Sequence, residues 1–521
     1  MAWTAAFIQE LRASTRRIAY RVETLTPLVG STPGTAATFT EEEVSGYREL
    51  GASVQPGEWR GVIGGCSFIL TRDDNATILA AMKPGVRVQV SATVNGVGPE
   101  IIRLGQVDRV LGGMRVGSVT VECLDLVSAM GTRPSASNPE NLPLFSEIED
   151  TLAVTQVTAG FAHGVDTTLN VLDTSGFSKS SAHDGLLRIT PNGGASSGPY
   201  WYKWSASTAL TFTISSDQAF DTIPDASAAL PVGSNVKSIA LVVAHPLDLI
   251  RQLLVSTGAG TNGAHDVLPA LWGYGLDNSL IDHTDIGNQK SYASIGGTYA
   301  WDFYAEQEVT NAYQWVTESI AVGGFFVTIR QGLITARTAE WPHSGTLSGI
   351  VITDDDIHSF EIDYYDSDLQ VQAGGVRVTA LDKVDWNAGT GTPVYTTYSA
   401  QKANTGVSGF PAKRWFDYDY PLVRANGIKQ DVIEEARDRL FGWATQRAER
   451  ISMSCKGLRL AQLAVGDLVQ VTSSKIQGRL ESSGATYSTR KAFVASILPH
   501  WDEGMVELEL LAPPVEANTT L

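Results

Sequence analysis

Pro84-Gly85-Val86-Arg87-Val88-Gln89-Val90 opens with a turn-forming pair and runs straight into apolar/polar alternation. Proline fixes φ and glycine frees it, so the pair punctuates the chain. Period-two alternation then places Val86, Val88 and Val90 on one face and Arg87 and Gln89 on the other, as in a half-buried strand. The same grammar recurs near the far end. Ala464-Val465-Gly466-Asp467 is a turn, and Leu468-Val469-Gln470-Val471 is the strand it opens. The two ends share texture without a residue-level repeat.

Working outward from the first stretch, a short helix at the start is followed by Trp59-Arg60-Gly61-Val62-Ile63 and Cys66-Ser67-Phe68-Ile69-Leu70. A Gly- and Asp-rich break comes next. After the alternating strand come Ile101-Ile102-Arg103-Leu104-Gly105-Gln106-Val107 and Ser118-Val119-Thr120-Val121-Glu122-Cys123. Short strands with tight breaks predict a small barrel or sandwich over 1–135. Around the second stretch, a helix over 429–448 carries Ile433, Ala436, Leu440, Trp443 and Ala444 on one face. Ile451-Ser452-Met453-Ser454-Cys455, Ala492-Phe493-Val494-Ala495-Ser496-Ile497 and Val506-Glu507-Leu508-Glu509-Leu510 supply strands, so 350–521 is a second β unit with one helix.

Between the ends the texture changes twice. Pro134, Pro139 and Pro143 mark a linker into a Ser/Thr/Gly-rich stretch. It holds Leu186-Leu187-Arg188-Ile189, Tyr200-Trp201-Tyr202-Lys203-Trp204 and Leu210-Thr211-Phe212-Thr213-Ile214, read as an inserted all-β module over 136–235. The region 236–349 is mixed α+β. Ile239-Ala240-Leu241-Val242-Val243 is a buried-strand candidate, and Pro246 opens a helix over 247–254. Apolar residues Ala305, Val309, Ala312, Tyr313, Val316 and Ile320 predict a helix over 305–322. Phe325-Phe326-Val327-Thr328-Ile329-Arg330 then turns through Gln331-Gly332 into Leu333-Ile334-Thr335-Ala336-Arg337, a hairpin signal. The expected fold is mainly β with an α+β centre: two barrel-like domains flank a mixed region that carries an inserted β module.

Composition narrows function by exclusion. The 521 residues exceed one ordinary domain. A hydrophobic share of 43% argues for a folded chain, and 18% charged residues with 50 glycines favour strands and turns over long solvated helices. A net charge of -18 argues against gripping nucleic-acid phosphates. Cys66, Cys123 and Cys455 form no C-x-x-C pair and no disulfide framework, and eight scattered histidines offer no zinc pattern. The first twenty residues carry Glu10 and a late Arg run without a continuous apolar core, so no signal peptide is expected, and no stretch is long enough to span a bilayer.

Candidate chemistry is sparse. Gly258-Ala259-Gly260-Thr261-Asn262-Gly263 matches G-x-G-x-x-G but follows a predicted helix, where the dinucleotide fingerprint must follow a strand. Thr353-Asp354-Asp355-Asp356-Ile357 with Asp363, Asp366 and Asp368 is the densest acidic cluster. It lacks the central Gly of a calcium loop and reads as a helix N-cap or an acidic surface. Ser408 lacks a nucleophile-elbow context, and no H-E-x-x-H occurs. His163, His183, His245, His265, His283, His343, His358 and His500 carry no local triad signature. Tyr200, Trp201, Tyr202 and Trp204 are candidate glycan or partner contacts. Strand alternation sets Trp201 apart from the other three, and packing of one face in a core is the competing reading. No catalytic, cofactor or metal residue is assigned, and no enzyme is expected.

The order of these pieces resembles the hub protein at the tail tip, or baseplate, of long-tailed bacteriophages. The resemblance rests on the opening Trp3-Thr4-Ala5-Ala6-Phe7-Ile8-Gln9-Glu10-Leu11, on Pro84-Gly85-Val86-Arg87-Val88 and on Gly105-Gln106-Val107-Asp108. It continues through Val119-Thr120-Val121-Glu122-Cys123-Leu124-Asp125, His245-Pro246-Leu247-Asp248-Leu249-Ile250, Gly332-Leu333-Ile334-Thr335-Ala336-Arg337 and Val351-Ile352-Thr353-Asp354-Asp355-Asp356-Ile357. Leu463-Ala464-Val465-Gly466-Asp467-Leu468-Val469 closes the series, and 136–235 lies outside it. The resemblance implies a structural virion protein, assembled in the bacterial cytoplasm. It implies a homotrimer whose six barrel-like domains match a sixfold distal tail protein ring and present a threefold platform to a central spike or fibre. Tape-measure protein and then DNA would pass through its channel, DNA without specific binding, and an acidic wall would let it slide. The insert departs from the minimal pattern, and decoration of the tail tip, contact with fibres and host-surface contact through a glycan are its alternative readings, between which the sequence does not choose. Competing readings are a surface glycan-binding adhesin and a tail-associated cell-wall hydrolase.

Overall fold

The computed structural model describes residues 3–13, 15–25, 36–55, 60–112, 117–126, 154–162, 165–177, 185–192, 200–218, 229–244, 246–255, 276–292, 301–305, 324–339, 347–363, 373–386, 393–403, 414–424, 429–445, 448–477 and 486–512. In the first segment the strands are β1 (Ile18–Thr24), β2 (Thr38–Phe39), β3 (Val44–Glu49), β4 (Ala52–Gln55), β5 (Arg60–Ile63), β6 (Cys66–Thr71), β7 (Arg87–Val94), β8 (Val97–Gly112) and β9 (Ser118–Asp125). Seven of them form an antiparallel sheet in the order β2-β1-β7-β8-β9-β6-β3. The alternation that opened the sequence reading is realised in β7: Val88, Val90 and Val94 are fully buried. β7 and β8 meet at Asn95-Gly96, both with positive φ (50° and 82°), the geometry that a two-residue hairpin turn of matching twist demands.

β4 and β5 leave this sheet. Their hairpin adds to the sheet of the last segment, with Ser53 opposite Ser496 and Ala52 opposite Ile497 on β26 (Thr486–His500). The crossing is made at Gly51, whose φ of +64° and position against the Ile497 carbonyl exclude a side chain. The last sheet runs β19 (Val351–Thr353), β25 (Leu468–Gln477), β26, β27 (Met505–Ala512), β24 (Glu449–Lys456), β20 (Ile357–Asp363). Both sheets are open in strand order among the described residues, where closed barrels were expected. The mainly β class holds, with no closed barrel among the described residues: the β4–β5 hairpin joins β26 of the other sheet, opposite Ser496 and Ile497, and adds no strand to the first sheet.

The insert folds around a core of its own, with Phe161, Leu169, Leu187, Tyr202, Trp204, Phe212 and Val236 buried together. Its strands are β10 (Val154–Gln156), β11 (Thr168–Asn170), β12 (Gly185–Thr190), β13 (Tyr200–Ser207), β14 (Thr211–Gln218) and β15 (Asn235–Ala244). β15 carries the sheet onward to β16 (Trp301–Ala305), and from there to β23 (Arg414–Arg424), β21 (Ala373–Trp386) and β22 (Pro393–Ala403). Ala305 therefore ends a strand rather than opening a helix, and 306–322 lies outside the described residues.

At the centre sits the hairpin β17 (Phe325–Arg330) and β18 (Leu333–Thr338). Both faces are buried along almost its whole length, which explains its near-continuous apolar sequence. Gln331 and Gly332 turn it with φ of 49° and 77°. A side chain at Gly332 would overlap the Ile101 carbonyl, the same oxygen that accepts the Trp3 indole N–H at 2.7 Å. Gly332→Ala is thus expected to destabilise the fold by about 3 kcal/mol, combining left-handed backbone strain with displacement of that contact; urea unfolding measures it.

Three helices carry apolar stripes into this core. The opening helix Ala5–Glu10 is capped by the Thr4 hydroxyl, which accepts from the Phe7 N–H at 3.3 Å, and buries Phe7. Helix Pro246–Val255 buries Leu247, Ile250 and Leu254. Helix Lys429–Thr445 buries Ile433, Ala436, Leu440 and Trp443, and Trp443 meets Phe493 edge-on with centroids 5.1 Å apart. Two further helices were not expected. Asn75–Ala81, capped by Asp74, occupies the Gly- and Asp-rich break, and His283–Tyr292 lies beside the central hairpin.

Candidate functional site

Two buried ion networks join the segments around the central hairpin. In the first, Arg103 on β8 donates to Glu49 at the end of β3 at 2.9 Å. Glu49 also accepts from the Trp501 indole of the last segment at 2.9 Å and from the Tyr47 hydroxyl at 3.3 Å. Its other terminal nitrogen, Nη2, donates to the carbonyls of Gly51 and Gly64, the two ends of the β4–β5 crossing. Burial alone would lower the Arg103 pKa; the Glu49 and Asp125 carboxylates outweigh it and hold the value above the ordinary one. Burial and Glu49 raise the Tyr47 phenol. Beside this network the Tyr20 hydroxyl donates to Asp502 at 2.8 Å.

In the second network Arg337 on β18 grips Asp285 with two hydrogen bonds, 2.8 and 3.0 Å, and Asp467 with a third at 2.7 Å. Asp285 lies in the first turn of helix His283–Tyr292, where the Asp282 carboxylate accepts its N–H at 3.0 Å. The Thr335 hydroxyl donates to Asp285 at 2.8 Å, and Arg330 lies 3.4 Å from it. Burial pushes the Asp285 carboxyl up, but Arg337, Arg330 and Thr335 more than reverse this and hold it below its usual value. Asp467 serves twice, because its second oxygen accepts the Ala464 N–H at 2.7 Å and so closes the turn that opens β25. Charges at these depths are stable only when paired and hydrogen-bonded, so the networks act as joints with fixed geometry.

The acidic cluster is a turn between β19 and β20, not a helix N-cap. Asp354 accepts from the hydroxyl of Ser473 and from the N–H and hydroxyl of Ser474 (3.0 and 2.6 Å). These bonds lower its carboxyl from 3.8 to about 2. Since the folded value is depressed, the contact is complete above the ordinary carboxylate range and is lost as pH falls through about 2. A carbon-13 carboxyl titration of Asp354 is expected to show that low midpoint, and Ser474→Ala to raise it. Asp356 accepts from the Thr353 N–H at 2.9 Å and pairs with Arg459 at 2.7 Å. Asp363 ends β20, whereas Asp366 and Asp368 lie outside the described residues.

Of the aromatic candidates, Tyr200, Tyr202 and Trp204 are each 3% exposed. Tyr202 meets Phe161 edge-on at 5.5 Å, and Trp204 meets Phe212 at 5.1 Å. Trp201 pairs through its backbone with Arg188. His283 shares a 3.0 Å hydrogen bond with Asn278, His500 lies 3.2 Å from Glu507, and His358 is exposed on β20. The other five histidines, Ser408 and 258–263 lie outside the described residues. Among the described residues no cluster of three metal-ligating side chains occurs, and no helix is long and apolar enough to cross a membrane. The joint residues Glu49, Arg103, Asp285 and Arg337 were not singled out from sequence. The available signal was a lone charge inside an apolar run, as in Ile101-Ile102-Arg103-Leu104.

No protein-family model and no curated protein matches the chain. Solved structures similar to it include two tail proteins, one of them from a prophage, and a gene transfer agent particle. The 43 kDa tail protein of prophage MuSo2 from Shewanella oneidensis is 10% identical, with 95% of this chain and 98% of that one covered and a TM-score of 0.37. The tail protein from Neisseria meningitidis MC58 is also 10% identical, covering 95% and 96%, with a TM-score of 0.31. The virion of the native gene transfer agent particle is 14% identical over 45% of this chain and 84% of that one, with a TM-score of 0.18.

Proposed function

We propose that this chain is a structural protein of the phage tail, the trimeric hub at its tip. In that role it joins the sixfold distal tail protein ring to a threefold central spike or fibre. It surrounds the channel for tape-measure protein and DNA. The observation that carries the reading is the interlock of the two β units. The β4–β5 hairpin of the first segment belongs to the sheet of the last, and Arg103 holds both ends of the crossing. With the central hairpin packed between them, the two units share one hydrophobic core, which suits a part that joins two symmetric rings. The -18 charge suits a wall along which DNA slides. Antibody labelling of intact particles under the electron microscope tests the location. Label at the tail end supports the reading, and label on the head or the shaft overturns it.

Host-surface or partner contact through the insert is a second reading. Its motive is the exposure of apolar side chains there, with Val165 78%, Val232 59%, Leu172 58%, Leu210 57% and Val154 55% exposed. Binding of the full chain to a glycan array, competed by soluble sugar, supports this reading as a glycan contact; a silent array removes the glycan part of it.

A further inference from the structure

Cys66 and Cys123 are direct partners across the β6–β9 pair, and both are buried free thiols. Their pairing type follows from the neighbouring hydrogen bonds. On the β3 side, Gly65 accepts from the Leu50 N–H at 3.0 Å and Thr71 donates to the Glu43 carbonyl at 2.8 Å. Odd-numbered residues of this strand therefore turn their backbone groups toward β3. Even-numbered residues turn theirs toward β9, as Arg72 does when it donates to Gly117 at 2.9 Å. Cys66 and Cys123 consequently form a hydrogen-bonded antiparallel pair, in which Cα atoms stand about 5.5 Å apart. That Cα separation lies within the disulfide range, but the Cβ atoms of a hydrogen-bonded pair stand about 5.5 Å apart against the roughly 3.5–4.5 Å of a disulfide, so closure must draw β6 and β9 together locally and leaves a strained, readily reduced bond. The side chains lie directly opposite each other on the same buried face. Gly105 on β8 flanks the pair: a methyl there would sit 3.0 Å from the Cys123 Cβ and 3.8 Å from its sulfur, so its absence leaves the sulfur room to turn.

We infer that Cys66 and Cys123 are a redox modification site, a cross-strand dithiol that an oxidant closes to a disulfide tying β6 to β9. With diamide as oxidant, one thiolate adds to an azo nitrogen and the neighbouring nitrogen takes a proton. The second thiolate then attacks the bound sulfur, the S–N bond breaks, and the departing nitrogen takes the second proton. The two sulfurs give up two electrons, and the azo group becomes a hydrazine. Hydrogen bonding to Cys66 and burial both hold the Cys123 thiol well above its ordinary pKa, so closure is slow at neutral pH and accelerates in alkali. Cys455, on β24 of the other sheet, has no partner thiol and acts as an internal control.

The test treats the folded full-length protein with diamide at mildly alkaline pH. Remaining thiols are then alkylated in denaturant, and peptides are mapped by mass spectrometry. The expected map has Cys455 alkylated and the Cys66 and Cys123 peptides joined, two hydrogens lighter than their sum, with dithiothreitol restoring three alkylated cysteines. Cys66→Ser and Cys123→Ser each abolish the joined species, and the wild-type map stands if either variant misfolds. Three alkylated cysteines after prolonged treatment, a link that includes Cys455, or links only between chains would overturn the assignment.

Discussion

Arg337→Ala is expected to destabilise the protein by about 3–5 kcal/mol, the usual consequence of removing one partner from a buried ion network. The variant strips Asp285 of two hydrogen bonds and Asp467 of one, and Asp285, 4% exposed, lies too deep for water to replace them, whereas the Asp467 side chain is 13% exposed. The loss has a pH signature. In the native protein Asp285 titrates below its ordinary 3.8, so its contribution is fully present above that value and is lost as pH falls through the lower folded one. Without Arg337 the largest remaining influence is burial, which pushes the carboxyl up. The variant is then relieved by protonation, so the gap between the two proteins narrows on acidification. Urea unfolding from neutral to acid pH measures both features. Arg337→Lys keeps the charge without the two-pronged geometry and is expected to recover only part of the stability.

Arg103→Ala is expected to cost a similar 3–5 kcal/mol, with its damage located elsewhere. Arg103 is 1% exposed and is the counter-charge of Glu49, and it also holds the carbonyls of Gly51 and Gly64. Its loss frees both ends of the β4–β5 crossing at once. Hydrogen exchange should therefore rise first in peptides covering 52–63 and in β26 opposite them. The insert, whose core is separate, should keep its protection. Replacing Arg103 and Glu49 together by methionine and leucine should restore part of the stability, because the buried Glu49 charge leaves with its partner while Asp125 still loses Arg103. Equal exchange across all segments would contradict a local role for Arg103.

The sequence spoke clearly where local rules decide. The hairpin at Gln331-Gly332, the apolar stripe Ile433, Ala436, Leu440 and Trp443, and the alternating valines of β7 all follow from period and turn chemistry alone. Asn95-Gly96 offered an equally direct hairpin signal between β7 and β8. The short helix Asn75–Ala81 was read as a break, because seven residues give little periodicity to count and its one signal was the Asp74 cap. Helix His283–Tyr292 was not legible. It is polar along most of its length and is held by tertiary contacts, Asp285 to Arg337 above all.

The exchange of β4 and β5 between sheets was illegible for another reason. Strand alternation reports which face is buried and carries no information on which sheet the strand joins. The same holds for barrel closure, a property of strand order. The joints escaped because burial of a charge depends on residues far along the chain: Trp501 reaches Glu49 across 452 positions, and Asp467 reaches Arg337 across 130. Tyr200, Tyr202 and Trp204 carried two readings in the sequence, sugar stacking and core packing, and their rings now stand in the core of the insert.

The mass of the purified chain in solution tests the hub reading most directly, by light scattering or native mass spectrometry. A trimer, three times the 55.8 kDa of one chain, is the predicted result, with threefold averages in electron micrographs. A stable monomer or dimer across the micromolar range would contradict it.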